Sequence, residues 1–174
     1  MNLLRAAALC ASIALVAATN YQGTMVPFPV ERHGVMPFHL TAGSDGYLWV
    51  ASFGAIARMT TAGEFKGAVQ TPHAGDVADA IVAGRDGNIW FAESSNDVAR
   101  IGRITRNGAL SEYRLPSGST PLTLAAGSGG VVFAGYPGAT LGLVSYSGTI
   151  SKITFKTKID IKSLAYDSNG TLWY

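Results

Sequence analysis

Ile81-Val82-Ala83-Gly84-Arg85-Asp86-Gly87-Asn88-Ile89-Trp90-Phe91-Ala92-Glu93 reads as a short apolar strand, a turn and a second apolar strand. Asp86-Gly87 supplies residues that accept the positive backbone angles of a tight hairpin, so the two strands pair antiparallel. The phrase recurs as Gly43-Ser44-Asp45-Gly46-Tyr47-Leu48-Trp49, as Gly127-Ser128-Gly129-Gly130-Val131-Val132-Phe133, and as Tyr166-Asp167-Ser168-Asn169-Gly170-Thr171-Leu172-Trp173. Its aromatic residue returns at Trp49, Trp90, Phe133 and Trp173, a step of about 41 residues. A second phrase keeps the same step: Ile56-Ala57-Arg58-Met59-Thr60, Ile101-Gly102-Arg103-Ile104-Thr105 and Leu141-Gly142-Leu143-Val144-Ser145, each closed by a glycine at 63, 108 or 148.

Each unit divides into four short strands, for example Asp79 to Gly84, Asn88 to Glu93, Ala99 to Thr105 and Ala109 to Leu115. No segment sustains a helical period, and turn residues fall every ten or so positions, which excludes helical repeats of similar length. Four strands per repeat of about 41 residues predict an all-β fold, a β-propeller of four-stranded blades. The blades fall at 37–70, 78–115 and 121–155, with an incomplete fourth at 163–174. The repeated aromatic is expected to pack between neighbouring blades. Closed propellers hold about 4–8 blades, so the expectation is part of a longer ring. Within residues 19–36, Met25 to Val30 is read as an outer strand that closes the ring. Assembly of two copies through open blade edges is the competing arrangement, and open edges invite aggregation.

The remainder of the sequence bounds the function. Of 174 residues, 48% are hydrophobic and 14% charged, the formal charge is +2, and there is one cysteine. This charge is too small for a nucleic-acid binder, and one cysteine builds no disulfide framework. Residues 1–18 read as an export signal, with Arg5 before an apolar run and Val16-Ala17-Ala18 at the cleavage site, which predicts a secreted or periplasmic protein. A lipid anchor on Cys10 is the weaker reading, because the large Leu9 precedes it. No apolar run reaches the roughly 18 residues of a membrane span.

The stretches 81–93 and 100–116, the latter Arg100-Ile101-Gly102-Arg103-Ile104-Thr105-Arg106-Asn107-Gly108 onward, resemble the repeat of the virginiamycin B lyase (streptogramin B lyase) family. The resemblance covers 37–174 and is closest in the second blade. It implies a seven-bladed propeller that opens cyclic depsipeptide antibiotics at an ester by elimination, with a His base and Mg²⁺. In that family the His follows a Pro at the start of inner strands in late blades, and an acidic residue lies near the end of the next strand. Here the His positions hold Phe38, Asp79, Leu122 and Ser163, and only Pro37 and Pro121 keep the proline. His39 lies one residue late, which turns it to the opposite face of the strand. Pro72-His73 lies too far ahead of Gly84 and reads as loop. The acidic position holds Ser52, Glu93 and Gly135, so Glu93 alone matches. Phe38, His39, Asp79 and Glu93 are the ligand-binding candidates; no catalytic residue is assigned.

Other polar residues have structural readings. Asp45 and Asp86 form turns, Arg58 and Arg103 make one repeated contact, and Lys152, Lys156, Lys158 and Lys162 form a solvated basic stretch. His33, His39, His73 and Cys10 are too scattered for a zinc site. Three function classes remain for a small-molecule or peptide-like ligand: a lyase-like parent with this chain inactive alone, a noncatalytic binding propeller, and a gluconolactonase-like hydrolase with a metal held by several carboxylates.

Overall fold

The computed structural model describes residues 36–73, 76–95, 98–137, 140–155 and 161–174. The export signal, Cys10, His33 and the ring-closing strand at Met25 to Val30 lie outside them, as do Lys156 and Lys158. Among the described residues fourteen strands follow one another: β1 (His39–Ala42), β2 (Leu48–Ser52), β3 (Ala55–Met59), β4 (Phe65–Gln70), β5 (Val77–Ala83), β6 (Ile89–Ser95), β7 (Val98–Ile104), β8 (Leu110–Arg114), β9 (Leu124–Ala126), β10 (Gly130–Tyr136), β11 (Thr140–Ser145), β12 (Ile150–Ile153), β13 (Ala165–Tyr166) and β14 (Leu172–Trp173). They form three antiparallel sheets of four strands in chain order, β1 to β4, β5 to β8 and β9 to β12, followed by the pair β13 and β14. The first strands of successive sheets touch, β1 against β5, β5 against β9 and β9 against β13. The sheets are thus blades arranged with their first strands innermost.

The repeated phrase explains the hairpins. Gly87 has φ of 81°, which a side chain would oppose, and Gly87 N–H donates to the Gly84 carbonyl at 3.0 Å. The aspartate before it caps the turn from its side chain: Asp86 accepts from Asn88 N–H at 3.1 Å and from the Trp90 indole at 3.2 Å. Asp45 repeats this with Tyr47 and Trp49, and Asp167 with Asn169 and Trp173. Turn former and core aromatic are therefore one unit of sequence.

The aromatic packs between blades as expected. The first seam joins Trp49, Ala51 and Ile56 to Ala78, Ile89, Phe91 and Ile104. The second joins Trp90, Ala92, Ile101 and Leu115 to Leu124, Val131, Phe133 and Val144. Strand β6 serves both, with Ile89 and Phe91 facing one seam and Trp90 and Ala92 the other. Burial alternates residue by residue in β4, at the outside, and does not in β2, β3 and β10. Strands covered on both faces bury both sets of side chains. Arg58 and Arg103 do make one repeated contact: Arg58 lies over the Tyr47 and Trp49 rings at 4.6 and 5.6 Å, and Arg103 over Trp90 and Tyr113 at 5.7 and 5.8 Å.

Candidate functional site

The end of each blade's second strand carries the position where the family resemblance expects an acid, and the three blades treat it differently. In the first blade Ser52 accepts a hydrogen bond from Met36 N–H at 3.0 Å. In the third blade Gly135 has φ of 94°, and a Cβ there would fall 1.9 Å from the Thr120 carbonyl oxygen. Thr120 N–H donates to Gly135 O at 2.7 Å, so the backbone itself fills the space a carboxylate would need. Only the second blade places an acid, Glu93, on the face of β6 that turns toward the first seam.

Glu93 is fully buried. Thr71 and Asp76, which follow β4, stand beside it, with Gly54 N–H donating to Asp76 O and Thr71 N–H to Gly54 O. Two contacts flank it: the Arg100–Asp76 ion pair at 3.1 Å, and His73 Nε2 against a Glu112 carboxyl oxygen at 3.3 Å. Thr71 and Glu112 stand close enough to affect its protonation without meeting hydrogen-bond geometry. Both carboxyl oxygens lack a hydrogen-bond partner among the described residues, as do Thr71 Oγ1 and Glu112 Oε1. Burial pushes the Glu93 carboxyl up to about 7. The Thr71 hydroxyl opposes this, while Glu112 and Asp76 add to it. The Glu93 side chain is not held by turn amides. Its carboxyl turns into the seam, away from backbone donors.

A carboxyl raised in the folded state binds more protons there than in the unfolded chain, so folding stability falls as pH rises. The stability is highest below pH 4.5, declines toward about 7 and levels above it, a total loss of about 3 kcal/mol from this group. Glu93→Gln is expected to flatten that decline; urea denaturation of both proteins between these pH values checks it. Parallel curves for the two would show that Glu93 ionises freely in the seam.

The positions where the resemblance expects a base are occupied by other chemistry. Phe38 lies just before β1 with its ring edge-on to Phe53, centroids 4.8 Å apart, and both are nearly half exposed. His39 pairs with Ala51 and is exposed. Asp79 is the extra residue of a bulge, since the pairing of β5 and β6 shifts between Ala78 and Ala80. It accepts a hydrogen bond from the Ser94 hydroxyl. Leu122 is 67% exposed, and Ser163 is exposed. No hydrogen bond or ring contact joins any two of Phe38, His39, Asp79 and Glu93 among the described residues. Reading His73 as loop placed it correctly but missed its carboxylate partner, because Glu112 lies 39 residues away on β8. Asp76 and Arg100 carry no repeat signal and were equally invisible.

The described residues do not fit the Mg²⁺ that the resemblance implies. No three His, Cys, Asp or Glu among them are placed to hold a metal ion. The unengaged oxygens of Glu93 are sealed from solvent, whereas Mg²⁺ keeps several waters. No described helix is long and apolar enough to cross a membrane.

A model of the virginiamycin B lyase family matches residues 13–174. A search of curated proteins returned no match. Among solved structures, virginiamycin B lyase from Staphylococcus aureus is similar with 30% identity and a TM-score of 0.73, over 88% of this chain and 53% of that one. A catalytically inactive histidine-to-alanine form of that enzyme with quinupristin gives 28% and 0.74 over the same shares. The chain thus spans about half the length of these lyases. A gluconolactonase from Xanthomonas campestris, at 17% identity and a TM-score of 0.60 over 80% of this chain and 55% of that one, shares the fold.

Proposed function

The chain belongs to the virginiamycin B lyase family, and from that premise we propose that its blades hold a cyclic ester ligand without supplying the base that opens it. One observation carries the reading: Phe38, Asp79, Leu122 and Ser163 stand where the family's histidine would be. A proton beside a carbonyl is removed by a group poised near neutral pH within reach of it. Asp79 is engaged by Ser94, and the apolar residues at 38 and 122 offer contact area instead. Phe38, Phe53 and Leu122 suit the apolar face of a cyclic depsipeptide such as quinupristin. The parent activity is a carbon-oxygen lyase acting outside the cytoplasm, and the export signal read in 1–18 supports that location.

Quinupristin incubated with the purified chain is expected to elute unchanged in liquid chromatography with mass detection. A linear isomer of the same mass would be the elimination product and would overturn the proposal. A product heavier by one water would favour the hydrolytic, gluconolactonase-like reading.

A further inference from the structure

The repeat allows the two seams to be compared residue by residue at the hairpin end of the strands, opposite Glu93. In the seam between the second and third blades, Tyr113 stacks on Trp90 with centroids 5.7 Å apart and 15° between planes. Tyr146 lies against the same indole at 5.8 Å. The Tyr146 hydroxyl donates to Gly127 O at 2.6 Å and accepts from Arg85 N–H at 2.9 Å. Arg103 Nη1 donates to Tyr146 O at 3.1 Å, and Gly148 packs against the Tyr113 ring. The notch beneath the indole is filled.

In the seam between the first and second blades the corresponding residues are Trp49, Arg58, Val69, Arg106 and Gly108. Val69 takes the place of Tyr113, as its pairing with Ile56 matches that of Tyr113 with Ile101. Arg106 takes the place of Tyr146, two residues before the turn glycine. Two phenol rings are thus missing, and a cavity of about 390 Å³ opens there. Trp49, Ile56 and Val69 form its apolar floor, and Arg58, Lys66 and Arg106 its rim. No carboxylate is among the lining residues. Lys66 is bridged to Glu64 at 2.6 Å, and Arg106 spends one donor on Ser44 at 3.0 Å. Arg58 stacks on the Tyr47 and Trp49 rings and forms no ion pair among the described residues.

A cavity of this size accepts a small organic molecule. Guanidinium groups are planar donors matched to carboxylates, and with Lys66 neutralised by Glu64 it is Arg58 and Arg106 that favour an anion at the rim. We infer that this notch is a binding site for a small carboxylate with a flat apolar body, such as an aryl carboxylate, separate from the ester-holding face. The apolar body lies over Trp49 and Val69, and the carboxylate engages Arg58 and Arg106.

Naphthalene carboxylate and its neutral carboxamide, titrated into the full chain and followed by calorimetry, test this. The carboxylate is expected to saturate one site and the carboxamide to bind about tenfold more weakly or not at all. Restoring the missing rings with Val69→Tyr and Arg106→Tyr together is expected to abolish binding. Arg58→Gln, which leaves the floor in place, should weaken the carboxylate about tenfold with an unchanged far-ultraviolet spectrum. Equal binding of carboxylate and carboxamide, undiminished binding to the tyrosine variant, or no saturable binding would each overturn the inference.

Discussion

Trp90→Ala is expected to destabilise the folded chain by about 3–5 kcal/mol, the cost of removing a fully buried large aromatic. The Trp90 side chain lies within the second seam among Ala92, Ile101, Val131 and Phe133, with Tyr113 stacked on it and its indole N–H on Asp86. No neighbour is free to collapse into the space, because Tyr146 is fixed at its hydroxyl from two sides. Trp173→Ala, at the same repeat position but 63% exposed, should change stability by no more than about 0.5 kcal/mol. Urea denaturation of the three proteins gives both numbers. A loss below about 1 kcal/mol for Trp90→Ala would mean that the blades do not pack through this residue.

A second large effect is expected at Gly102. Phe91 and Gly102 face each other across β6 and β7, and a Cβ on Gly102 would lie 2.1 Å from the Phe91 ring. Phe91 is fully buried, so the ring has no open space to swing into. Gly102→Ala should therefore cost about 3 kcal/mol through overpacking. The third blade repeats the pair as Phe133 and Gly142, with a Cβ 2.0 Å from the ring. The first blade has Val50 opposite Ala57 in the same place. That substitution pattern supplies the remedy: Phe91→Val combined with Gly102→Ala should cost less than the sum of the two single changes by at least about 1 kcal/mol. Additive losses would show that ring and glycine do not share the space.

These pairs show what the sequence made legible. The period of the Asp-Gly and Trp phrases located the blades, and β5 to β8 begin and end within about two residues of the strands read from residues 79 to 115. Apolar and polar residues do not alternate in strands covered on both faces, since burial then removes the polar half of the pattern. The site was less visible. Position alone selected Glu93, but its burial depends on Thr71, Asp76 and Glu112, which reach it from a blade connection and the outer strand. A repeat describes what blades share, whereas this pocket and the cationic notch arise where neighbouring blades differ. Val69 and Arg106 acquire meaning only beside Tyr113 and Tyr146.

The first seam closes over an acid, Glu93, that it keeps from ionising freely. Carbon-13 labelling of the glutamate carboxyls, with Glu93 assigned by comparison with Glu93→Gln, follows that group directly by nuclear magnetic resonance through a pH titration. The expected midpoint is about 7. A midpoint at the ordinary value of 4.5 would contradict it, placing Glu93 in water and the two blades apart.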